Sequence, residues 1–441
     1  MLDIASYLLE DLLPFQFRDT PIGPAYNGRL VMAKTTAELV SNDSRINAFR
    51  VIGDNPINSE GISSLPHSDV AHWASGADAA WFEPGRHYWW RSAIIRDTVG
   101  HNFPIVTMLH SLGYPEQLVP LMTCVSVGAR PYDVIVAPGP RAAALLEEQL
   151  DQVCNYLGRD RSEAAPRVEV IPYGVGPVSS RTHKTEAKRN LDLPIEGTLV
   201  TFVGRMVDGD KIEFERTMDA LAKARKSCDF TVVFAGAASE AAERRVIEVG
   251  RQLPDGTLRV MPNITDSHKE MLLDASDIFL SPSQTVSEMF GLSIVEVMQR
   301  ECAVLCSGWG GYLDVVEDGV TGLEIDTVFN DPTPADELAY LTNVGFNTTA
   351  RTSANVAIQY DDLAAKLVTL VRNPELRGRL GREARLVAEQ KFDVRSTAVR
   401  VVDIMLEARD ECDSSDLEGG SAGSPLKMAS SFRKLAKASV E

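Results

Sequence analysis

From Leu199 onward the chain alternates short apolar runs with amphipathic stretches. That alternation points to a parallel sheet flanked by helices. Strand-like runs stand at Leu199 to Val203, Phe230 to Ala235, Leu258 to Met261, Asp277 to Ser281, Ala303 to Ser307 and Thr321 to Ile325. Between them, Phe214 to Lys226, Glu240 to Arg251 and Ser293 to Arg300 place apolar residues three and four apart, the period of a helix with one buried face. An open α/β sheet of this kind binds ligands beyond the carboxyl ends of its strands.

The first half follows the same grammar less regularly. Phe103 to Ser111, Tyr132 to Gly139 and Val168 to Val175 are apolar runs closed by Gly, Pro or Ser, with a helical stretch at Arg141 to Tyr156. A second α/β domain is the inference, and 441 residues exceed one ordinary core at about 150 residues per domain. Gly174 to Lys188, rich in Gly, Ser and charge, suits the linker. Beyond Tyr360 the pattern is helical, and the acidic, Gly/Ser-rich stretch from Glu411 to Pro425 predicts disorder. No internal repeat is present.

Charge narrows the classes. With 44 basic and 62 acidic residues the net charge is -18, so a nucleic-acid backbone would be repelled unless a local basic patch overrides it, and no nucleic-acid partner is expected. The six scattered cysteines read as reduced thiols of a cytoplasmic protein; Cys302 and Cys306 lack the second Cys or His pair of a zinc site. The first fifteen residues carry Asp3, Glu10 and Asp11 without a basic region, so they do not read as a signal peptide, and no apolar run is long enough to span a bilayer.

The chemistry concentrates in SEMFGLSIVEVM, where Glu288 and Glu296 stand eight apart around Phe290, Gly291 and Leu292. Glu288 is predicted in the loop after a strand and Glu296 one turn into the following helix. Carboxylates accept hydrogen bonds from paired hydroxyls, as on sugar and ribose rings, and a helix start faces an anion favourably. Two solvated glutamates at a helix start are the alternative. Upstream, the strand ending at Val203 runs into Gly204, Arg205 and then Lys211, two cations suited to a diphosphate.

Taken in order and spacing, VGRMVDGDK, SEMFGLSIVEVM and GGYLDVVEDGVTG resemble glycosyltransferase family 4, retaining enzymes of the GT-B fold, over roughly Val168 to Val394. The resemblance implies two Rossmann-like domains facing each other across a cleft. Residues 1-178 would form the acceptor-side domain, 179-394 the nucleotide-sugar domain, 395-410 a helix returning to the first domain, and 411-441 a disordered tail. It further implies that Arg205 and Lys211 hold the donor diphosphate, Glu288 the hydroxyls of the transferred sugar and Glu296 the ribose. Gly204 and the backbone of Phe290, Gly291 and Leu292 would approach phosphate and sugar, and Met261, Asn263 and Ile264 would lie by the base. Three departures stand out: Ile212 follows Lys211 where the family usually has Gly, Glu301 and Ala303 replace a usual Gly and Pro, and the first loop has no clean glycine pair, only Gly23, taken as the donor-binding glycine there, and Gly28 in PIGPAYNG.

His110, in IVTMLHSLGY, ends an apolar run, and the HSLG string is similar to that of sucrose-phosphate synthases. By resemblance it would sit by the donor sugar; a core histidine is the alternative. Ser111, Tyr114 and the APGPRA loop (Ala137 to Ala142) are weaker candidates of the same edge. Asp208-Gly209-Asp210 could be mistaken for a manganese triplet, but Arg205 and Lys211 already supply positive charge and Asp-Gly forms turns. Trp73, Trp81, Trp89 and Trp90, with Phe82, His87 and Tyr88, offer either core packing or an aromatic acceptor platform. Lys427, Arg433, Lys434 and Lys437 beside Phe432 and Leu435 suggest either a frayed terminus or weak contact with a membrane surface.

The function expected is transfer of a sugar, with retention, from a nucleoside diphosphate sugar (UDP-sugar favoured) to an unidentified acceptor, with neither cofactor nor metal. The departing phosphate would take the acceptor proton. Alternatives are a catalytically silent nucleotide-sugar-binding protein and a GT-B epimerase or phosphorylase. The acceptor and the oligomeric state stay open.

Overall fold

Two parallel sheets, one in each half of the chain, carry the architecture of the computed structural model. It describes residues 1–6, 28–53, 61–85, 89–112, 118–127, 129–178, 181–286, 288–336, 338 and 352–414. The first sheet contains β1 (Leu2–Ser6), β2 (Ile46–Ile52), β3 (Ile62–Leu65), β4 (Ala79–Glu83), β5 (Ile105–Met108), β6 (Val134–Ala137) and β7 (Arg167–Val170), in the order β3-β2-β1-β4-β5-β6-β7. The second contains β8 (Thr198–Val203), β9 (Phe230–Gly236), β10 (Leu258–Pro262), β11 (Ile278–Ser281), β12 (Ala303–Ser307) and β13 (Gly322–Ile325), in the order β10-β9-β8-β11-β12-β13. A small antiparallel pair, β14 (Thr327–Phe329) and β15 (Val356–Ile358), stands apart. In each large sheet the first strand lies in the middle and the order reverses beside it, which opens a crevice between β1 and β4 and another between β8 and β11.

Strands buried on both faces explain the continuous apolar runs: every residue of β5, β6, β11 and β12 is buried. The helices between them bury one stripe. In Phe214–Arg225 that stripe is Phe214, Thr217, Met218, Ala220, Leu221 and Ala224. Ser239 and Thr265 cap the helices that follow them by accepting from the amides of Ala242 and His268.

The linker reading needs correction, because helix Lys184–Asn190 begins inside it. Helix Val394–Ser414 likewise runs four residues into the stretch read as an acidic tail. That last helix lies on the first domain. Arg45 Nη1 donates to Asp403 at 2.5 Å, Thr397 Oγ1 to the Pro172 carbonyl at 2.9 Å, and Arg409 Nη1 to the carbonyls of Ala79 and Asn102 at 3.3 and 3.2 Å. One continuous apolar cluster joins β1 and β2, β8, β9 and β12, and the helices that carry Ala384 and Val401.

Of the aromatic segment, Trp73 and Trp81 belong to the first core. The Trp81 ring stacks on Phe103 at 6.1 Å and meets Trp73 edge-on at 6.0 Å. An acceptor platform is therefore overturned for these two; Trp89 and Trp90 open helix Trp89–Val99, and His87 and Tyr88 lie outside the described residues. Under the same sheet Arg96 is wholly buried and forms two hydrogen bonds to Asp133, at 2.7 and 2.8 Å. Burial opposes its charge, yet Asp133 outweighs burial and holds the guanidinium firmly protonated.

Asp277 ties helix Lys184–Asn190 to β8. It accepts from Lys184 Nζ at 2.7 Å and from the Leu199 amide at 2.8 Å. Burial alone would raise its carboxyl pKa, but Lys184, the Leu199 amide and Lys188 together hold it below the ordinary carboxylate range. A depressed folded-state value contributes stability that is full above the unfolded value near 4 and is lost as pH falls through the folded value. Asp277→Asn should therefore flatten the acid limb of stability. Urea midpoints measured between about pH 5 and pH 2 should fall less steeply for the variant than for the wild type, and parallel curves would refute the assignment.

Candidate functional site

The loop after β8 is built around its turn. Gly204 extends the ladder by donating to the Ala235 carbonyl at 3.1 Å, and the amide of Met206 donates to Ala237 at 2.8 Å, which presents Arg205 at the sheet's carboxyl edge. Gly209, at φ 74°, donates to the Ile212 carbonyl at 3.0 Å. The positive φ needed here is thus taken by Gly209, and Ile212 can replace the family's usual glycine and bury its side chain completely. Asp208 Oδ1 accepts the Phe214 amide at 2.9 Å and so starts the next helix. Asp210 turns inward, fully buried, with Oδ2 3.8 Å from Arg205 Nη2. The two aspartates are therefore not arranged side by side, and among the described residues no cluster of three or more His, Cys, Asp or Glu side chains could hold a metal ion.

Across the crevice, the loop after β11 brings Glu288 back toward β8. Its Oε2 accepts from Lys211 Nζ at 2.6 Å, with both side chains mostly enclosed. Glu296 lies in helix Leu292–Met298 and accepts from Lys269 Nζ at 2.7 Å. Each carboxylate thus has its own cation. Lys269 was not apparent from sequence, because it sits on a different helix, Asp266–Ala275, and only packing brings it to Glu296.

Gly291 joins that loop to its helix at φ 97°, and a Cβ there would lie 2.6 Å from the Tyr312 ring. Tyr312 is buried, its hydroxyl 2.8 Å from Ser281 Oγ, and burial with the nearby Glu288 charge pushes its phenol well above the ordinary range. Glu301, where the family usually has Gly, adopts φ 60° and pairs with Arg385 at 2.7 Å. The strain of a left-handed non-glycine residue is tolerated there, with an ion pair beside it.

Met261, Asn263 and Ile264 line the end of β10. Asn263 stands at φ 51°, accepts the Ala238 amide at 3.1 Å and donates Nδ2 to the Ala238 carbonyl at 3.0 Å, tying the loops after β9 and β10 together. Ile264 is buried, and Met261 packs against the shared cluster.

From the first sheet, His110 comes to the same region. Its Nε2 lies 2.5 Å from the Pro84 carbonyl, and its ring centre is 5.6 Å from that of Tyr173. Tyr173 in turn lies 5.8 Å from Phe290, and Phe290 5.5 Å from Phe392. The Tyr173 hydroxyl donates to the Leu109 carbonyl. Arg141, in the APGPRA loop, reaches the other half: its Nη1 is 2.5 Å from Asp314 Oδ1, and Asp314 also accepts the Arg141 amide at 3.1 Å. Ser111 has a buried hydroxyl with no hydrogen-bond partner among the described residues, while Gly23 and Tyr114 lie outside them. Sequence reasoning missed Tyr173, Tyr312 and Asp314. The first stands just before a glycine at a strand end and the other two inside the GGYLD string, the only signals that could have found them.

Comparison with solved structures follows from this geometry. A sucrose-phosphate synthase from Thermosynechococcus elongatus superposes over 93% of this chain and all of its own, with a TM-score of 0.63 at 16% identity. The fold is GT-B. The Anabaena protein HepE, solved in complex with UDP and glucose, shares it over 94% of this chain and all of its own at a TM-score of 0.58 and 16% identity. Residues 197–340, the heart of the second GT-B domain, match the family model of Glycosyl transferases group 1. In sequence, a D-inositol 3-phosphate glycosyltransferase of Salinispora tropica is 30% identical over 220 residues, 43% of this chain and 44% of that protein. A counterpart in Streptosporangium roseum is 27% identical over 56% of this chain and 60% of its own length. The chain thus spans about half the length of the curated relatives it matches.

Gly291 tests the loop geometry. Gly291→Ala should destabilise the protein by about 1–3 kcal/mol through the positive φ and the Tyr312 contact, read from denaturant midpoints. Pairing it with Tyr312→Leu should return only the contact part; unchanged stability in the single variant would mean that the loop is not held as described.

Proposed function

We propose that the protein is a retaining glycosyltransferase of family 4 that takes a sugar from a nucleoside diphosphate sugar, with a UDP-sugar favoured. The observation that carries this reading is the Lys211–Glu288 pair at 2.6 Å, closed across the β8/β11 crevice beside Arg205. A cation and a carboxylate so placed suit a ligand with an anionic diphosphate at one end and hydroxyls at the other. HepE, which shares the fold, is solved with UDP and with UDP-glucose, and this supports the donor class.

In the reaction the bond from the sugar's anomeric carbon to the diphosphate oxygen breaks and a bond to the acceptor oxygen forms on the same face. The acceptor proton passes to the departing diphosphate. Arg205 and Lys211 stabilise the negative charge that develops on the leaving group, and the role needs no metal ion. Glu288 releases Lys211 to the diphosphate and orients the sugar hydroxyls; Glu296 holds the ribose. His110, anchored on Pro84 and packed by Tyr173, faces the sugar from the first domain. The GT-B relation of the two sheets brings donor and acceptor together and excludes water. The acceptor is unassigned, and no nucleic acid is involved.

The test is release of free nucleoside diphosphate from UDP-, GDP- and ADP-sugars, with and without EDTA. Release from one donor, undiminished by EDTA, is expected, and Lys211→Ala and Glu296→Ala should each lower it by roughly a hundredfold or more. Wild-type rates in either variant would overturn the site assignment. No donor bound or turned over would overturn the donor class.

A further inference from the structure

We propose that Asp210 is a positioning residue that aims Arg205 at the diphosphate, and that Ser353, on the excursion between β13 and helix Tyr360–Arg372, braces it; this rests on the donor reading above. The excursion leaves and returns at one point, where the Gln359 amide donates to the Asp326 carbonyl at 2.9 Å. β14 and β15 form its neck. A direct step from β13 to the helix would complete the βα unit, so the detour adds nothing that the sheet needs.

What the detour touches is the donor side. Ser353 Oγ donates to Asp210 Oδ1 at 3.3 Å, and the Ser353 carbonyl accepts from Gln284 Nε2 at 3.5 Å. Trp309 stacks on Phe329 of β14 at 5.2 Å and donates Nε1 to the Thr285 carbonyl at 3.1 Å. Ser353 and Phe329 thus reach both the loop bearing Arg205 and Lys211 and, through Gln284 and Trp309, the loop leading to Glu288.

Asp210 itself has an unusual environment. It is fully buried, and its Oδ2 has no hydrogen-bond partner among the described residues. A buried carboxylate oxygen left so is costly, and the charge nearby that compensates it is Arg205, 3.8 Å away. At that distance the contact is an ion pair rather than a hydrogen bond. It directs the guanidinium by charge and does not occupy an N–H that a phosphate would take. Without such a role, a negative charge here would only repel a diphosphate.

The two possibilities give opposite signs in a binding experiment. Calorimetric titration with UDP, GDP and ADP, and with the matching nucleosides, should show Asp210→Asn weakening the preferred diphosphate about tenfold while nucleoside affinity is unchanged. Ser353→Ala should weaken it in the same direction, by less. In an Arg205→Ala background, Asp210→Asn should cost almost nothing more, because the residue acts through Arg205. Unchanged or tighter diphosphate binding in Asp210→Asn, an equal loss for nucleoside and diphosphate, or multiplicative losses in the double variant would each overturn the proposal. If the wild type binds none of the three diphosphates, the donor reading itself fails and this one with it.

Discussion

Where the chain passes between its halves, the Val175 amide donates to the Phe392 carbonyl at 2.9 Å and the Val394 amide donates back to Val175 at 3.3 Å. Two stretches of backbone separated by the whole second sheet are stitched side by side. The approach is so close that a Cβ on Gly174 would sit 2.2 Å from the Val394 nitrogen, so only glycine fits. Phe392 and Tyr173 flank the stitch and both press on Phe290, which belongs to the loop between Glu288 and Glu296. The position of the candidate donor loop relative to His110 therefore depends on this crossing.

Electrostatics acts locally against the overall charge. A chain of net charge -18 repels anions at long range, so an anionic ligand must be held by fixed cations inside the crevice. Lys211, Lys269 and Arg205 each stand against a carboxylate, at 2.6, 2.7 and 3.8 Å respectively. Such pairing keeps the cations placed and limits the cost of enclosing them; on the reading proposed above, a ligand would displace Glu288 and Glu296 from the two lysines while Asp210 keeps Arg205 placed.

Much of the second domain was readable from sequence because its physics is periodic and local. Runs such as Ala303 to Ser307 are buried on both sides and can hardly be anything but strands. Arg205 and Lys211 could be singled out because they follow a run that reads as a strand, and Glu288 and Glu296 because they stand eight apart about a helix start; the reversal of strand order that joins their loops shows only in the folded sheet. The first domain was harder: β3 (ISSL) sets two serines between its apolar ends, and β4 (AAWFE) ends in a buried glutamate that breaks the apolar pattern. Contacts between distant elements left no trace in any window. Lys269 on Glu296, Tyr312 under Gly291 and Ser353 on Asp210 exist only after folding. The same holds for Trp73 and Trp81, whose burial depends on Phe103 arriving from the stretch that leads into β5.

The returning helix Val394–Ser414 supplies part of the first domain's surface, through Arg45 with Asp403 and Arg409 with the edge at Ala79 and Asn102. On the ribosome, β1 to β7 emerge well before that helix does. At about 5–20 residues per second the first domain waits on the order of ten seconds or more with the seat of its final helix open. Val401, Val402, Ile404 and Met405, fully buried in the finished protein, are the side chains whose seat is bare meanwhile. A nascent chain stalled within the second sheet would expose that apolar seat, which makes the interval before the helix arrives the stage at which chaperone capture or aggregation competes most directly with folding.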